Sequence, residues 1–189
     1  MAYFQNIRNR VGEYFLQKER KSHTRTRTIM NIDSATNIGI LYCGDNAADV
    51  EQMKKYIHTL RDMGKQVKSL GFINVKEVPP GLNGSAMHQY FSLKELNWYG
   101  RPSSQFIHNF VKEEFDILFD FGQPIQLPIM FLTSISKAKC KVGKYVEKYV
   151  DLYDVMIEAD ETKKLDYVIE TTHDYMMLIN KKKQETKNQ

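Results

Sequence analysis

The chain has 189 residues, 42% of them hydrophobic and 26% charged, with a formal net charge of +4. These figures fit one globular domain with material for a sizeable core and exclude a disordered or fibrous chain, and no run approaches the ~20 apolar residues of a membrane-spanning helix. Arg8 and Arg10 interrupt the first residues and no small-residue cleavage site follows, so no secretory leader is expected and the cytoplasm is the expected compartment.

Two cysteines, Cys43 and Cys140, fall inside apolar runs, so they read as small buried hydrophobes in a reduced protein and not as a disulfide or a metal set. The charge is uneven. Residues 1–30 hold seven Lys or Arg against Glu13 and Glu19, a net of +5, which leaves the other 159 residues at −1.

Residues 3–20 read as a helix, with Phe4, Ile7, Val11 and Phe15 on one stripe. The polar, Thr-rich segment 21–36 follows as an extended arm. The run 37–43 (NIGILYC) is the first core strand, and Gly44, Asp45 and Asn46 punctuate a turn after it. A helix is expected from Ala47 to Met63, capped by Asn46, with Asp49 in its first turn and Gly64 as its stop. Gln66–Ile73 is the second strand. Residues 76–89 contain Pro79, Pro80, Gly81, Asn83 and Gly84 and read as an exposed loop, after which Tyr90 and Phe91 open a short third strand. Ser103 or Ser104 caps a helix running to about Glu114.

Asp116–Phe121 is apolar without alternation, as a central parallel strand buried on both faces would be. A helix over Ile125–Ser134, with Pro124 near its start, leads to a fifth strand at Cys140–Gly143. Tyr153–Ile157 is a sixth strand and Leu165–Ile179 a closing amphipathic helix. Strands alternating with helices predict an α/β domain. The expected form is a Rossmann-like open, mainly parallel sheet of five or six strands with helices on both faces and an added N-terminal basic helix. The expected division is a helix and arm over 1–36, the α/β domain over 37–181 and a charged tail over 182–189.

In an open parallel sheet, ligands bind beyond the carboxyl ends of the strands, near the point where strand order reverses. The rule names Gly44, Asp45 and Asn46 after the first strand, and Asp120, Gly122 and Gln123 at the end of the fourth. The structural alternative, that Asn46 and Asp45 serve a helix cap and Gly44 a tight turn, carries more weight. No GxGxxG or P-loop pattern is present, and the histidines show no metal-ligand spacing, so no cofactor and no metal are expected. His88, near Ser85, could join Asp45 or Asp120 in a hydrolytic set only if the fold brought them together. Asp116 and Asp120 share a face if both lie in the strand. The plainer reading places Asp116 in solvent at the strand's start.

The basic arm offers Arg8, Arg10, Arg20, Lys21, Arg25 and Arg27 to an anionic membrane surface or to nucleic acid. Against that stands a helix packed on its own domain or on a second copy in a homodimer.

The sequence FDILFDFG, then SKAKCKVGKY, then YDVMIE resembles an uncharacterised family of small bacterial proteins, a domain of unknown function, across about residues 38–180. That resemblance implies a fold and no activity. A narrower stretch, residues 115–143, is similar to the N-terminal Rossmann-like half of heptosyltransferase-type glycosyltransferases. The chain is too short for their second, nucleotide-sugar-binding half, so this similarity implies shared architecture only. The expected function is therefore a non-catalytic binding or interaction module, peripheral to a membrane if its arm meets one. The alternative is a small ligand-binding protein or enzyme using the crevice at the strand ends.

Overall fold

A computed structural model describes residues 2–82, 84–123, 125–159 and 163–180, with side chains from residue 6 onward. The apolar runs form six strands: β1 Asn37–Cys43, β2 Gln66–Phe72, β3 His88–Phe91, β4 Ile117–Phe121, β5 Cys140–Lys144 and β6 Val155–Ile157. They pair in the order β3-β2-β1-β4-β5-β6, and every pairing is parallel. The strands are short and continuously apolar because helices cover both faces of the sheet. This is the Rossmann-like α/β architecture. The strand order reverses between β1 and β4.

Five helices surround the sheet: α1 Ala2–Ser22, α2 Ala47–Asp62, α3 Gln105–Lys112, α4 Leu127–Ile135 and α5 Leu165–Leu178. Side chains alternate along each strand, so each face has its own core. Ile38, Ile40 and Tyr42 of β1 meet Met53 and Ile57 of α2 and Val168 and Met176 of α5 on one side. Leu41 and Cys43 of β1 meet Ile107 and Phe110 of α3 and Ile129 and Leu132 of α4 on the other. Asn46 caps α2 by accepting from the Asp49 amide at 2.8 Å, and Gly64 follows its end at φ +78°, a conformation glycine adopts at little cost.

α4 is buried from Pro128 through Ser134, because the sheet takes one of its sides and α1 the other. A helix apolar all round requires such a cover. The seat of α1 differs from the expected stripe. Leu16 is fully buried, Val11 and Phe15 are half-buried, and Ile7 is 40% exposed; the side chain of Phe4 lies outside the described part. The rotation follows from Gly12. A Cβ there would fall 2.5 Å from both Leu127 and the Tyr99 carbonyl oxygen, so a residue without a side chain lets α1 press onto the start of α4.

Three element starts move by two residues. α4 starts at Leu127 and not Ile125, with Pro128 in its first turn, where the missing amide costs no hydrogen bond. β3 starts at His88, and β6 starts at Val155 instead of Tyr153. Tyr153 turns its ring across Gly143 and buries its hydroxyl. Pro124 and the tail 182–189 lie outside the described residues.

Candidate functional site

The reversal of strand order opens a crevice of about 790 Å³ at the carboxyl edge of the sheet. Cys43 and Phe121 end β1 and β4 at its floor, and Gln123 and Ile125 follow from the turn after β4. Lys144 and Tyr145, at the end of β5, form one wall. Asp49 and Gln52 from the first turns of α2, and Lys163 and Lys164 at the start of α5, form the rest. Two helices thus point their N-termini at one cavity, where unsatisfied amides and the helix dipole favour negative charge. α2 is capped by Asn46, whereas Lys164 at the N-cap of α5 supplies no capping side chain.

Lining charges comprise Lys144, Lys163 and Lys164 against Asp49 and Asp166, an excess of one positive charge. The Nε2 of Gln123 is buried with no hydrogen-bond partner among the described residues. Such a donor is costly to bury unless something occupies the space before it. Ile125 and Tyr145 add exposed apolar surface at 44% and 46%. Burial pushes the Cys43 thiol far up, with Asp120, Asp45 and Asp49 adding to the shift, so this cysteine is not a thiolate nucleophile.

Of the six residues named from the sequence, Gln123 lines the crevice. The turns after β1 and β4 do flank it, but their polar residues are engaged elsewhere. Gly44 donates its amide to the Phe72 carbonyl at 2.8 Å. Asp45 accepts from the Asn74 amide at 2.7 Å, tying the β1 turn to the end of β2. Asn46 caps α2.

Asp120 points to the opposite face from Phe121 and is buried under α4. It accepts from the Gly122 amide at 2.9 Å, the Thr133 hydroxyl at 2.8 Å and the Tyr153 hydroxyl at 2.7 Å. Its pKa is raised because burial outweighs these three bonds.

Lys144, Tyr145, Lys163 and Lys164 were not named from the sequence. The same rule, applied to the end of β5, yields the first two. The lysines before α5 sit in a polar stretch with no signal of their own.

His88 meets neither Asp45 nor Asp120. Its ring bonds Ser69 through Nδ1, and through Nε2 the Tyr90 hydroxyl at 2.7 Å and the Tyr42 hydroxyl at 3.3 Å. Burial, with Lys54 and Arg61 adding to it, lowers the imidazole to about 4 and keeps it neutral at physiological pH. It is a half-buried histidine with its hydrogen bonds satisfied. Among the described residues no cluster of three or more His, Cys, Asp or Glu is placed to hold a metal. Both cysteines are buried thiols outside any disulfide.

The basic arm is folded onto the body. Arg20 pairs with Asp151. Arg25 is buried and donates to the carbonyls of Ala138 and Lys139 at 3.1 and 2.9 Å and to Asp154 at 2.6 Å. Arg27 reaches the Asp151 carbonyl at 3.2 Å. Arg10 and Lys21 face solvent, and Arg8 is half-buried beside Gly100. No helix among the described residues is long and apolar enough to cross a membrane.

Comparison with curated proteins finds no match. A family model covers most of the chain and agrees with the resemblance read across residues 38–180; the glycosyltransferase similarity is not part of that match. By the match over residues 8–179, the chain belongs to the family of unknown function DUF6913.

Proposed function

We propose that the protein binds a small organic anion in the crevice at the carboxyl ends of β1, β4 and β5. The observation that carries this reading is the coincidence of the cavity with the reversal of strand order, lined by three lysines and facing the uncapped start of α5. A volume of about 790 Å³ lies within the range of small-molecule sites, and the mix of Phe121, Ile125 and Tyr145 with lysines suits a molecule with one apolar or planar part and one anionic group. Nucleoside monophosphates have that chemistry. The basic arm is a weaker basis for function, because Arg20, Arg25 and Arg27 already have carboxylate or carbonyl partners in the fold.

The test is calorimetric titration with AMP and CMP, followed by amide shift mapping in the NMR spectrum. Binding is expected to shift Gln123, Tyr145 and Leu165 and to fall at least tenfold in Lys144→Glu and Lys164→Glu. Binding of equal strength in both variants, or shifts confined to other surfaces, overturns the reading.

A further inference from the structure

The opposite edge of the sheet holds a second cavity, of about 310 Å³, built around a buried lysine. Its lining includes Arg20, His23, Arg25, Arg27, Ser134 and Lys141. Lys141 lies three residues before Lys144 on β5, so the two point to opposite faces of the sheet and stand about 10 Å apart along the strand. Lys144 serves the crevice. Lys141 turns under α4, where it is 2% exposed and donates to the Ser134 carbonyl at 3.1 Å.

An ammonium has three donors, and a fully buried one ordinarily meets a carboxylate. Here the nearby carboxylates are committed to other groups. Asp154 accepts from Arg25 at 2.6 Å and from the Lys141 backbone amide at 2.8 Å, with Arg27 at 3.8 Å, while Asp151 pairs with Arg20. Three guanidiniums therefore face two carboxylates before Lys141 and His23 are counted. A second and independent observation is Ser134. It is 4% exposed and lines the cavity, and its hydroxyl has no partner among the described residues. Surplus positive charge, an unused hydroxyl and a small, partly open cavity describe a seat for a tetrahedral oxyanion.

We infer that the amino-edge cavity bounded by Arg20, Arg27, Lys141 and Ser134 binds a phosphate group, free or carried on a small monoester. This site is distinct from the carboxyl-edge crevice and stands or falls without it. The anion accepts from the Lys141 ammonium and the Ser134 hydroxyl at the base and from the Arg27 guanidinium, 60% exposed, at the mouth. Burial, with Arg25 next and Arg27 adding, lowers Lys141 to about 7, against the pull of Asp154. Lys141 is thus partly neutral in the empty protein and takes up a proton as the anion arrives.

The test is calorimetric titration of the full chain with sodium sulfate, sodium phosphate and glycerol 3-phosphate, at ionic strength fixed with sodium chloride. Sulfate keeps its charge across neutral pH, so it isolates the protein's titration. Saturable millimolar or tighter binding is expected, about tenfold weaker at pH 8 than at pH 6, the ratio of protonated Lys141 at those values. Arg27→Gln, at a surface position that leaves the fold intact, weakens it at least fivefold, and Lys141→Met removes the pH dependence along with most of the affinity.

His23 also lines the cavity, so His23→Gln is the control and retains the slope. Lys144→Glu, in the other cavity, binds as the parent does. A preference for glycerol 3-phosphate assigns the site to a monoester, and parity with inorganic phosphate assigns it to the free anion. Absence of saturable binding, or full binding in both Arg27→Gln and Lys141→Met, overturns the inference.

Discussion

The two edges of the sheet handle charge in opposite ways. At the carboxyl edge the lysines stand on the rim of an open crevice, solvated and close to helix N-termini. At the amino edge the cations are drawn inside. Arg25 and Asp154 have side chains only 6% and 4% exposed, and Lys141 lies beside them. Removing a charge from water costs several kcal/mol unless a partner offsets it, so the amino edge is where charge and stability are coupled. The rim lysines of the carboxyl edge are free to change without cost to the fold.

The largest expected effect comes from Asp154→Ala. It leaves the buried Arg25 guanidinium without its carboxylate and the Lys141 amide without an acceptor. Loss of one partner from a buried pair costs about 3–5 kcal/mol. Urea unfolding should show a midpoint lowered to match, with the slope unchanged.

Lys141→Met should act in the other direction. The folded-state pKa of about 7 lies below the unfolded value of 10.5, so the unfolded chain holds the extra proton between those limits and stability rises with pH across them. Methionine removes that slope. It should stabilise the protein at pH 7 by about 1–4 kcal/mol, as replacing buried charge with apolar volume often does. Thermal unfolding at pH 7 and pH 9 measures both effects. A residue whose loss strengthens the fold is held for binding, and a destabilised Lys141→Met would instead make the lysine a structural strut.

The fold was legible because its elements carry redundant signals. β1 and β4 are apolar without alternation, and α2 has its cap at Asn46, its acid at Asp49 and its stop at Gly64. The seat of α1 was not legible, because a close helix contact made through Gly12 leaves no mark in hydropathy. The crevice was half legible. Strand topology named the right turns, but polar residues in tight turns are the ones consumed by caps and turn bonds, as Asn46 and Asp45 are. Asp120 falls on the far face by the alternation that brings Phe121 to the near one. Arg25 read as a free cation because an extended segment has no period from which burial can be inferred.

The ends of β4 invert the contrast on a smaller scale, because the deeply buried carboxyl group, Asp120, lies at the carboxyl end. Asp116, just before the strand, accepts from the amides of Thr36 and Asn37 and from Lys139 at 2.9 Å, and these bonds hold its pKa below the usual value although its partial burial opposes them. Its contribution is present above pH 4 and is lost as pH falls through the lowered folded pKa. Asp120 has the reverse sign. Its folded pKa is raised, so the folded state holds the extra proton above pH 4 and stability declines as pH rises through that range. Asp116→Asn should cost about 1–2 kcal/mol at pH 7 and flatten the acid limb of a stability–pH curve. Asp120→Asn should leave that limb and flatten the decline above it. Equal curves for the two variants would remove the distinction between the strand ends.

The smallest effect on stability should come from the carboxyl edge, and it is the one that tests the division most directly. Lys144 and Lys164 have no ion-pair partner among the described residues, so Lys144→Glu and Lys164→Glu remove no buried bond. Surface substitutions of this kind stay within about 0.5 kcal/mol. Lys164→Glu also places an acid at the N-terminus of α5, where the helix dipole favours it by a few tenths of a kcal/mol. An unchanged or slightly raised melting temperature, combined with a tenfold loss of nucleoside monophosphate binding, would separate the crevice's chemistry from the fold that supports it. A loss of stability equal to that of Asp154→Ala would mean that the rim lysines are structural and that the two edges do not differ in kind.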